Sequence, residues 1–347
     1  MSKLPDWARA LGPTLFAARI RMTPSDFVVS EQLDVEFSGD GEHDWLHIEK
    51  TGANTHWVAG QLAGHAGVKP RDVGYAGLKD RHAVTRQWFS VRRPSQQGTD
   101  WRAFEADGVR IVEQQLHRRK LRRGAHRGNA FRIALRAADV KDQQAALAER
   151  LSRIEARGVP NYFGEQRFGR DGSNVDLGRS LFDGRRLARA RRSIALSAVR
   201  SFLFNEILGV RVRDGSWEQI LPGELANLDG SGSVFAVAEL SPELEQRCAE
   251  RDIHPTATLW GRQAPCAADS VAALENTVMA FFPELCDGLV NAGVDASSRA
   301  LRLRVQDLQW RIDQDALWLE FQLGKGAYAT SVLREIADFS QGCWSNT

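Results

Sequence analysis

The sequence predicts an α+β protein in which a helix-rich domain is inserted into a strand-rich one. Three observations carry this: residues 1–137 read mainly as strands, helical patterns dominate from about 158, and strands return near 299. Strands and helices that are segregated rather than alternating belong to the α+β class. The 347 residues suffice for about two domains, with cores that need no covalent staples.

The elements follow in order. Phe27-Val28-Val29 leads into Leu33, Val35 and Phe37, which alternate with polar residues, and Trp45 to Lys50 reads as another strand. Gln87 to Val91, Val109 to Leu116 and Asn129 to Arg136 carry strand-type patterns too. Asn54 is placed to cap a helix containing Trp57, Val58 and Leu62 that ends near Gly67. Val140 to Arg157 reads as a helix closed by Gly158. Helical patterns at 191–209, 241–251 and 268–282 fill the middle of the chain. Leu301 to Val305 and Leu317 to Phe321 read as strands, and a last helix is expected from Ala329 to Phe339.

Composition excludes several classes. Cys248, Cys266, Cys286 and Cys343 are widely spaced, with no C-x-x-C, so neither a disulfide scaffold nor a zinc ribbon is expected. They read as reduced thiols. No apolar run reads as a membrane span, and charges at Asp6, Arg9, Arg19 and Arg21 interrupt any signal peptide. A cytoplasmic protein is expected.

The net charge of +2 conceals a lopsided distribution. Arg118, Arg119, Lys120, Arg122, Arg123 and Arg127 fall within eleven residues that hold no acid. Six further arginines crowd residues 179–192, whereas residues 214–252 set nine acids against Arg247 and Arg251. Basic runs of this density suit phosphates, because each contact releases condensed counterions. A solvated face is the alternative.

Motifs of cofactor chemistry are missing. No G-x-G-x-x-G follows a strand, no G-x-S-x-G occurs, and Gly324-Lys325-Gly326 lacks the rest of a P-loop. His43-Asp44-Trp45-Leu46-His47 resembles H-E-x-x-H, but Asp replaces Glu and the run reads as strand, so zinc is not expected. Tyr75 to Ser90 differs. Asp80 sits there at a strand-to-loop transition among Lys79, Arg81, His82 and Arg86. It is either a turn former or a carboxylate kept ionised by its neighbours, able to serve as nucleophile or base without a cofactor.

At this segment a resemblance enters. Gly77-Leu78-Lys79-Asp80-Arg81-His82-Ala83-Val84-Thr85 resembles the catalytic motif of the TruD family of tRNA pseudouridine synthases. Arg21 to Val29, Arg122 to Phe131, Gly158 to Gly169 and Gly326 to Glu335 resemble four further motifs of that family, in the same order. The resemblance implies a pseudouridine-synthase-type catalytic domain with a mixed, largely antiparallel sheet. Residues 1–157 and 304–347 would form it, with an inserted α/β TRUD domain at 158–303. It implies an isomerase that converts uridine 13 of tRNA to pseudouridine, with tRNA as partner, no cofactor, no metal and a monomeric state.

The implied roles go residue by residue. Asp80 is the catalytic aspartate, and Arg21 is the basic residue that pairs with it, where lysine is the more familiar choice. Phe27, Phe131 and Tyr328 line the uracil pocket as replacement π-faces for a flipped base; Tyr328 stands where phenylalanine is usual, so its hydroxyl needs a partner. Asn129 reads a uracil edge, since an amide both donates and accepts. Residues 161–169 read as the packed, hinging entry to the inserted domain, with Arg167 and Arg170 as candidate RNA contacts in addition to the basic run 118–127. An aspartate can attack the ribose, add to the uracil ring or remove a ribose proton, and every route needs an ionised Asp80 close to the nucleoside.

Overall fold

The computed structural model describes residues 4–94 and 98–342; Cys343 lies outside them. In chain order the elements are β1 (Phe16–Ile20), β2 (Phe27–Gln32), β3 (His43–Thr51), α1 (Thr55–His65), β4 (Val73–Tyr75), β5 (Val84–Arg92), β6 (Val109–His117), β7 (Gly128–Arg136) and α2 (Gln144–Arg157). Then come β8 (Val159–Pro160), α3 (Ser173–Phe182), α4 (Arg189–Arg213), β9 (Glu224–Leu228), β10 (Val234–Val237), α5 (Pro242–Ala249), β11 (Ile253–Leu259), α6 (Asp269–Met279) and α7 (Pro283–Asn291). The last are β12 (Ser297–Ala300), β13 (Arg302–Leu303), β14 (Gln306–Asp313), β15 (Ala316–Gly324), α8 (Ala329–Leu333) and β16 (Ala337–Gln341).

The chain forms two compact units. The strand-rich unit comprises Leu15–Leu147, Gln306–Gly326 and Ala337–Thr347; the helix-rich unit comprises Met1–Thr14, Ala148–Val305 and Ala327–Ile336. The strand-rich unit holds one mixed sheet in the order β14-β15-β7-β2-β5-β3-β6, with β4 on β5 and β1 bridging β7 and β16. Its pairings are antiparallel except β1 with β16 and β2 with β5. Alternation sets its burial: Leu46 and Ile48 of β3 point to one face, where Val58 and Leu62 of α1 cover them. Asn54 caps α1 by accepting the Trp57 N–H at 2.8 Å, a bond worth about 1 kcal/mol.

The helix-rich unit is built on α4. This helix is apolar enough over an 18-residue window to cross a membrane by length and composition, yet 67% of that window is buried. It is a core helix, and the flanking arginines at 189, 191 and 192 break the apolar run in the sequence. Phe202, Leu203, Ile207 and Leu208 of α4 pack with Trp217, Leu285 and Leu289.

Three sequence expectations are corrected. The last helix stops at Leu333, and Ala337–Gln341 is a strand parallel to β1, with Phe16 opposite Ala337. This pairing across more than 300 residues overrides the local helical pattern. Residues 4–14, expected with the strand-rich domain, pack in the helix-rich unit because Trp7 inserts among Tyr162, Phe168 and Phe202. Residues 327–336 join the same unit, where the Glu335 carboxylate accepts the Leu11 N–H at 3.0 Å. His43 and His47 lie on the strand β3. Four residues of strand span about 13 Å, too far for one tetrahedral ion.

Candidate active site

In the strand-rich unit, Asp80 lies in the loop joining the antiparallel pair β4 and β5, and that loop is tied down along its length. Gln87 donates to the Gly77 carbonyl at 3.1 Å, and Thr55 Oγ1 accepts the Lys79 N–H at 3.0 Å while donating to Gln87 Oε1 at 3.0 Å. Arg81 Nε donates to the Gly52 carbonyl at 2.9 Å. The Lys79 ammonium meets the Glu31 carboxylate at 2.8 Å, with side-chain exposures of 5% and 0%.

Arg21 arrives from the end of β1. Its guanidinium donates to Asp80 Oδ2 at 2.8 Å, lies 4.1 Å from the Phe27 ring centroid and reaches Gln341 Oε1 at 3.4 Å. Its φ is +58°, in the left-handed region that a long side chain occupies only at a cost of about 1 kcal/mol or more. The next residues show what enforces this. Thr23-Pro24-Ser25-Asp26 forms a one-turn helix in which Asp26 accepts the Thr23 N–H at 2.9 Å and pairs with Arg136 at 2.8 Å. Burial pushes the Asp26 carboxyl up, but bonds from Arg136 and Thr23 outweigh it and hold it below the usual carboxylate range. This anchor delivers the chain from Arg21 into β2.

Phe131 and Asn129 stand on β7 between β2 and β15. Phe131 stacks on Phe321 at 5.5 Å and meets Phe27 edge-on at 6.4 Å. Both Phe27 and Phe131 are buried, at 3% and 8% exposure. Asn129 is half-buried, and its Oδ1 is buried with no hydrogen-bond partner among the described residues, a costly state for a lone acceptor. Gly128 precedes it because a Cβ there would sit 2.2 Å from the Leu323 carbonyl oxygen.

Tyr328 belongs to the helix-rich unit. Its hydroxyl accepts from Arg167, through Nε at 3.2 Å and through a terminal nitrogen, which supplies the partner it needs. Its ring lies 5.9 Å from Phe163, whose backbone is pinned by Asn205 at both its N–H and its carbonyl, at 2.9 and 3.0 Å. The Arg299 guanidinium covers Phe163 at 4.2 Å and donates to Asn161 at 2.7 Å; burial lowers its pKa to about 10. Arg167 also bonds Ser197, so its guanidinium is engaged inside the unit. Arg170 is exposed.

The basic run divides by partner. Arg118 makes two bonds to Asp40, at 2.9 and 2.8 Å, and Arg127 pairs with Asp34 at 3.0 Å. Lys120 donates to the Arg71 carbonyl, and Arg123 lies 3.8 Å over the Tyr75 ring. Arg119 and Arg122 are exposed and make no side-chain bond among the described residues. If the run meets a nucleic-acid backbone, as the sequence leads one to expect, the double reversal Arg119→Glu/Arg122→Glu weakens that binding and flattens the slope of log Kd against log salt by roughly 1.5–2. Arg118→Ala should have a smaller effect; filter binding across a salt series measures both. The acidic stretch is partly structural: buried Glu224 pairs with Arg211 at 3.2 Å, and Asp229 holds His254 and Arg304 at 2.9 and 2.8 Å.

Glu31 and Lys50 join the site with no motif to announce them. Both are charged residues at core-facing positions of strands, and the period-two pattern exposes them: Lys50 continues the buried series Leu46, Ile48.

Known proteins resemble this chain over most of its length. The family model described as tRNA pseudouridine synthase D (TruD) matches residues 14–186 and 184–336. The tRNA pseudouridine synthase D of Methylococcus capsulatus is 46% identical over 346 residues, 99% of this chain and 97% of that one. That of Xanthomonas euvesicatoria is 45% identical, covering 97% and 96%. The crystal structure of the Methanosarcina mazei protein named tRNA pseudouridine synthase D superposes with a TM-score of 0.71 over 96% of each chain. At 18% identity that likeness shows the fold.

Proposed function

The chain belongs to the TruD family of tRNA pseudouridine synthases, and from that membership we propose that it isomerises uridine 13 of tRNA to pseudouridine, with Asp80 as the catalytic carboxylate. The observation that carries the residue assignment is the Arg21–Asp80 pair at 2.8 Å, held on a strained backbone at one end and a tethered loop at the other. Backbone strain concentrates where geometry serves chemistry.

The reaction breaks the bond from ribose C1′ to uracil N1, turns the base and joins C1′ to C5. The C5 proton leaves and N1 gains one, so product and substrate are isomers. No redox step arises, and in this reading no metal or organic cofactor takes part. The Asp80 carboxylate faces the ribosyl unit as nucleophile or base, and Arg21 fixes its orientation. Asn129, with its unpartnered oxygen, accepts from a uracil N–H and donates to a carbonyl. Phe27, Phe131 and Tyr328 provide aromatic faces for the extruded base. The strand-rich part of the chain is thus the catalytic domain and the 158–303 segment an inserted TRUD domain. The enzyme acts as a monomer on cytoplasmic tRNA, with Arg119 and Arg122 foremost among its phosphate contacts.

The test uses the purified protein and tRNA transcripts carrying uridine or cytidine at position 13. Chemical mapping should find one pseudouridine, at position 13, and none in the cytidine transcript. Product at another nucleotide, or equal product from both transcripts, would refute the site assignment.

A further inference from the structure

Two lysines are buried beside the Asp80 loop, and they are held differently. Lys79 has the Glu31 carboxylate. Lys50 has none: its side chain is 0% exposed, and its ammonium donates to two main-chain oxygens, Ala53 at 2.7 Å and Asp80 at 2.9 Å. No carboxylate among the described residues lies in ion-pair range of it. An ammonium taken out of water without a counter-ion is expensive, and an apolar side chain of the same shape would serve the core better. The position is fixed by register, since Lys50 faces Thr85 on β5 and Val109 on β6.

We propose that Lys50 is a positioning residue for the reaction: its buried ammonium grips the Asp80 carbonyl from beneath and holds the Asp80 carboxylate at Arg21. This rests on the assignment of Asp80 above. The loop's other ties are made at Gly77, Lys79 and Arg81, and the bond to the carbonyl of Asp80 itself comes from Lys50. Within the loop Leu78 is 61% exposed, so little apolar packing fixes the outer face. A displacement of about 1 Å at a reacting group costs roughly 10²-fold in rate. Lys50 also ties Asp80 to Ala53, at the entry to α1, so one cation joins the loop to the helix start.

The charged groups that face this ammonium are Asp80 and Lys79. Burial lowers the Lys50 pKa to about 8, Lys79 adds to the lowering and Asp80 opposes it. The ammonium is therefore nearly complete about one pH unit below 8, half present at about 8 and further lost above it, as it becomes an amine. Stability moves the other way. Between about 8 and the ordinary value of 10.5 the unfolded chain binds more protons, so this group makes folding more favourable as pH rises. Lost activity above pH 8 would thus not be lost fold.

The decisive variant is Lys50→Met, which keeps the volume and removes the charge. Single-turnover rate on uridine-13 tRNA should fall at least about tenfold at pH 7, with unchanged Kd for tRNA and an unchanged or higher Tm. The wild-type rate should decline above pH about 8 without a fall in Tm, and that limb should be missing from Lys50→Met. A wild-type rate in Lys50→Met overturns the proposal. If that variant does not fold, the wild-type profile decides alone: a decline above pH 8 at constant Tm supports it, and a flat rate to pH 9.5 overturns it. Asp80→Asn, run in parallel, separates the two ideas. An active Asp80→Asn removes the premise; an inactive one beside a fully active Lys50→Met removes only the role of Lys50.

Discussion

Asp80→Asn is expected to lower the rate of pseudouridine formation by at least about 10³-fold while leaving tRNA affinity within a few-fold of wild type. The substitution keeps the size of the side chain, and the amide oxygen can still accept from Arg21. What it removes is the negative charge that any of the three routes requires. Affinity should persist, because on the proposed reading binding rests on other residues, the exposed basic ones above all. The cost to stability is small. The Asp80 side chain is 34% exposed, so the pair is partly solvated and its loss is worth about 1 kcal/mol. Release of the C5 proton from labelled uridine in tRNA measures the rate, and filter binding measures affinity. Parallel losses of rate and affinity would mean that Asp80 is a binding residue.

Glu31→Ala is expected to be the most destabilising single change near the site. It leaves the Lys79 ammonium buried without its partner, and it removes the acceptor for the Trp88 N–H at 3.3 Å. Breaking one side of a buried pair costs roughly 3–5 kcal/mol, a fall of roughly 10 °C in Tm for a unit of this size. The double replacement Glu31→Leu/Lys79→Met removes both charges and should recover most of that loss. Calorimetry of the three proteins checks this. A Glu31→Ala protein that melts within 2 °C of wild type, roughly 0.5–1 kcal/mol, would show that the pair is solvated.

Much of this was legible in the sequence, for physical reasons that can be named. Local patterns carried the strands around Phe27, Trp45 and Ile133, because alternation is a property of neighbours. The motif order carried Arg21 and Asp80, which the fold brings to 2.8 Å. What escaped was non-local. The parallel pairing of Ala337–Gln341 with β1 leaves no trace in the residues around 337. Trp7 looked like any apolar residue near a terminus, and only its aromatic partners at 162, 168 and 202 explain it. Charge density counted Arg118 and Arg127 with the free arginines, although Asp40 and Asp34 engage them from about 80 and 90 residues away in the chain. Lys50 and Glu31 carry a signal of their own: a charge in register with buried strand positions implies that something holds it.

On the proposed assignment, Asp80 converts uridine 13 of tRNA. The most direct measurement is a nucleotide-resolution pseudouridine map of one tRNA over a single-turnover time course with the wild-type protein and, separately, with Asp80→Asn. Modification at position 13 is expected with the wild-type protein, and at least about 10³-fold more slowly with the variant. Modification of position 13 by Asp80→Asn at the wild-type rate, or a wild-type protein that leaves it as uridine, would contradict it.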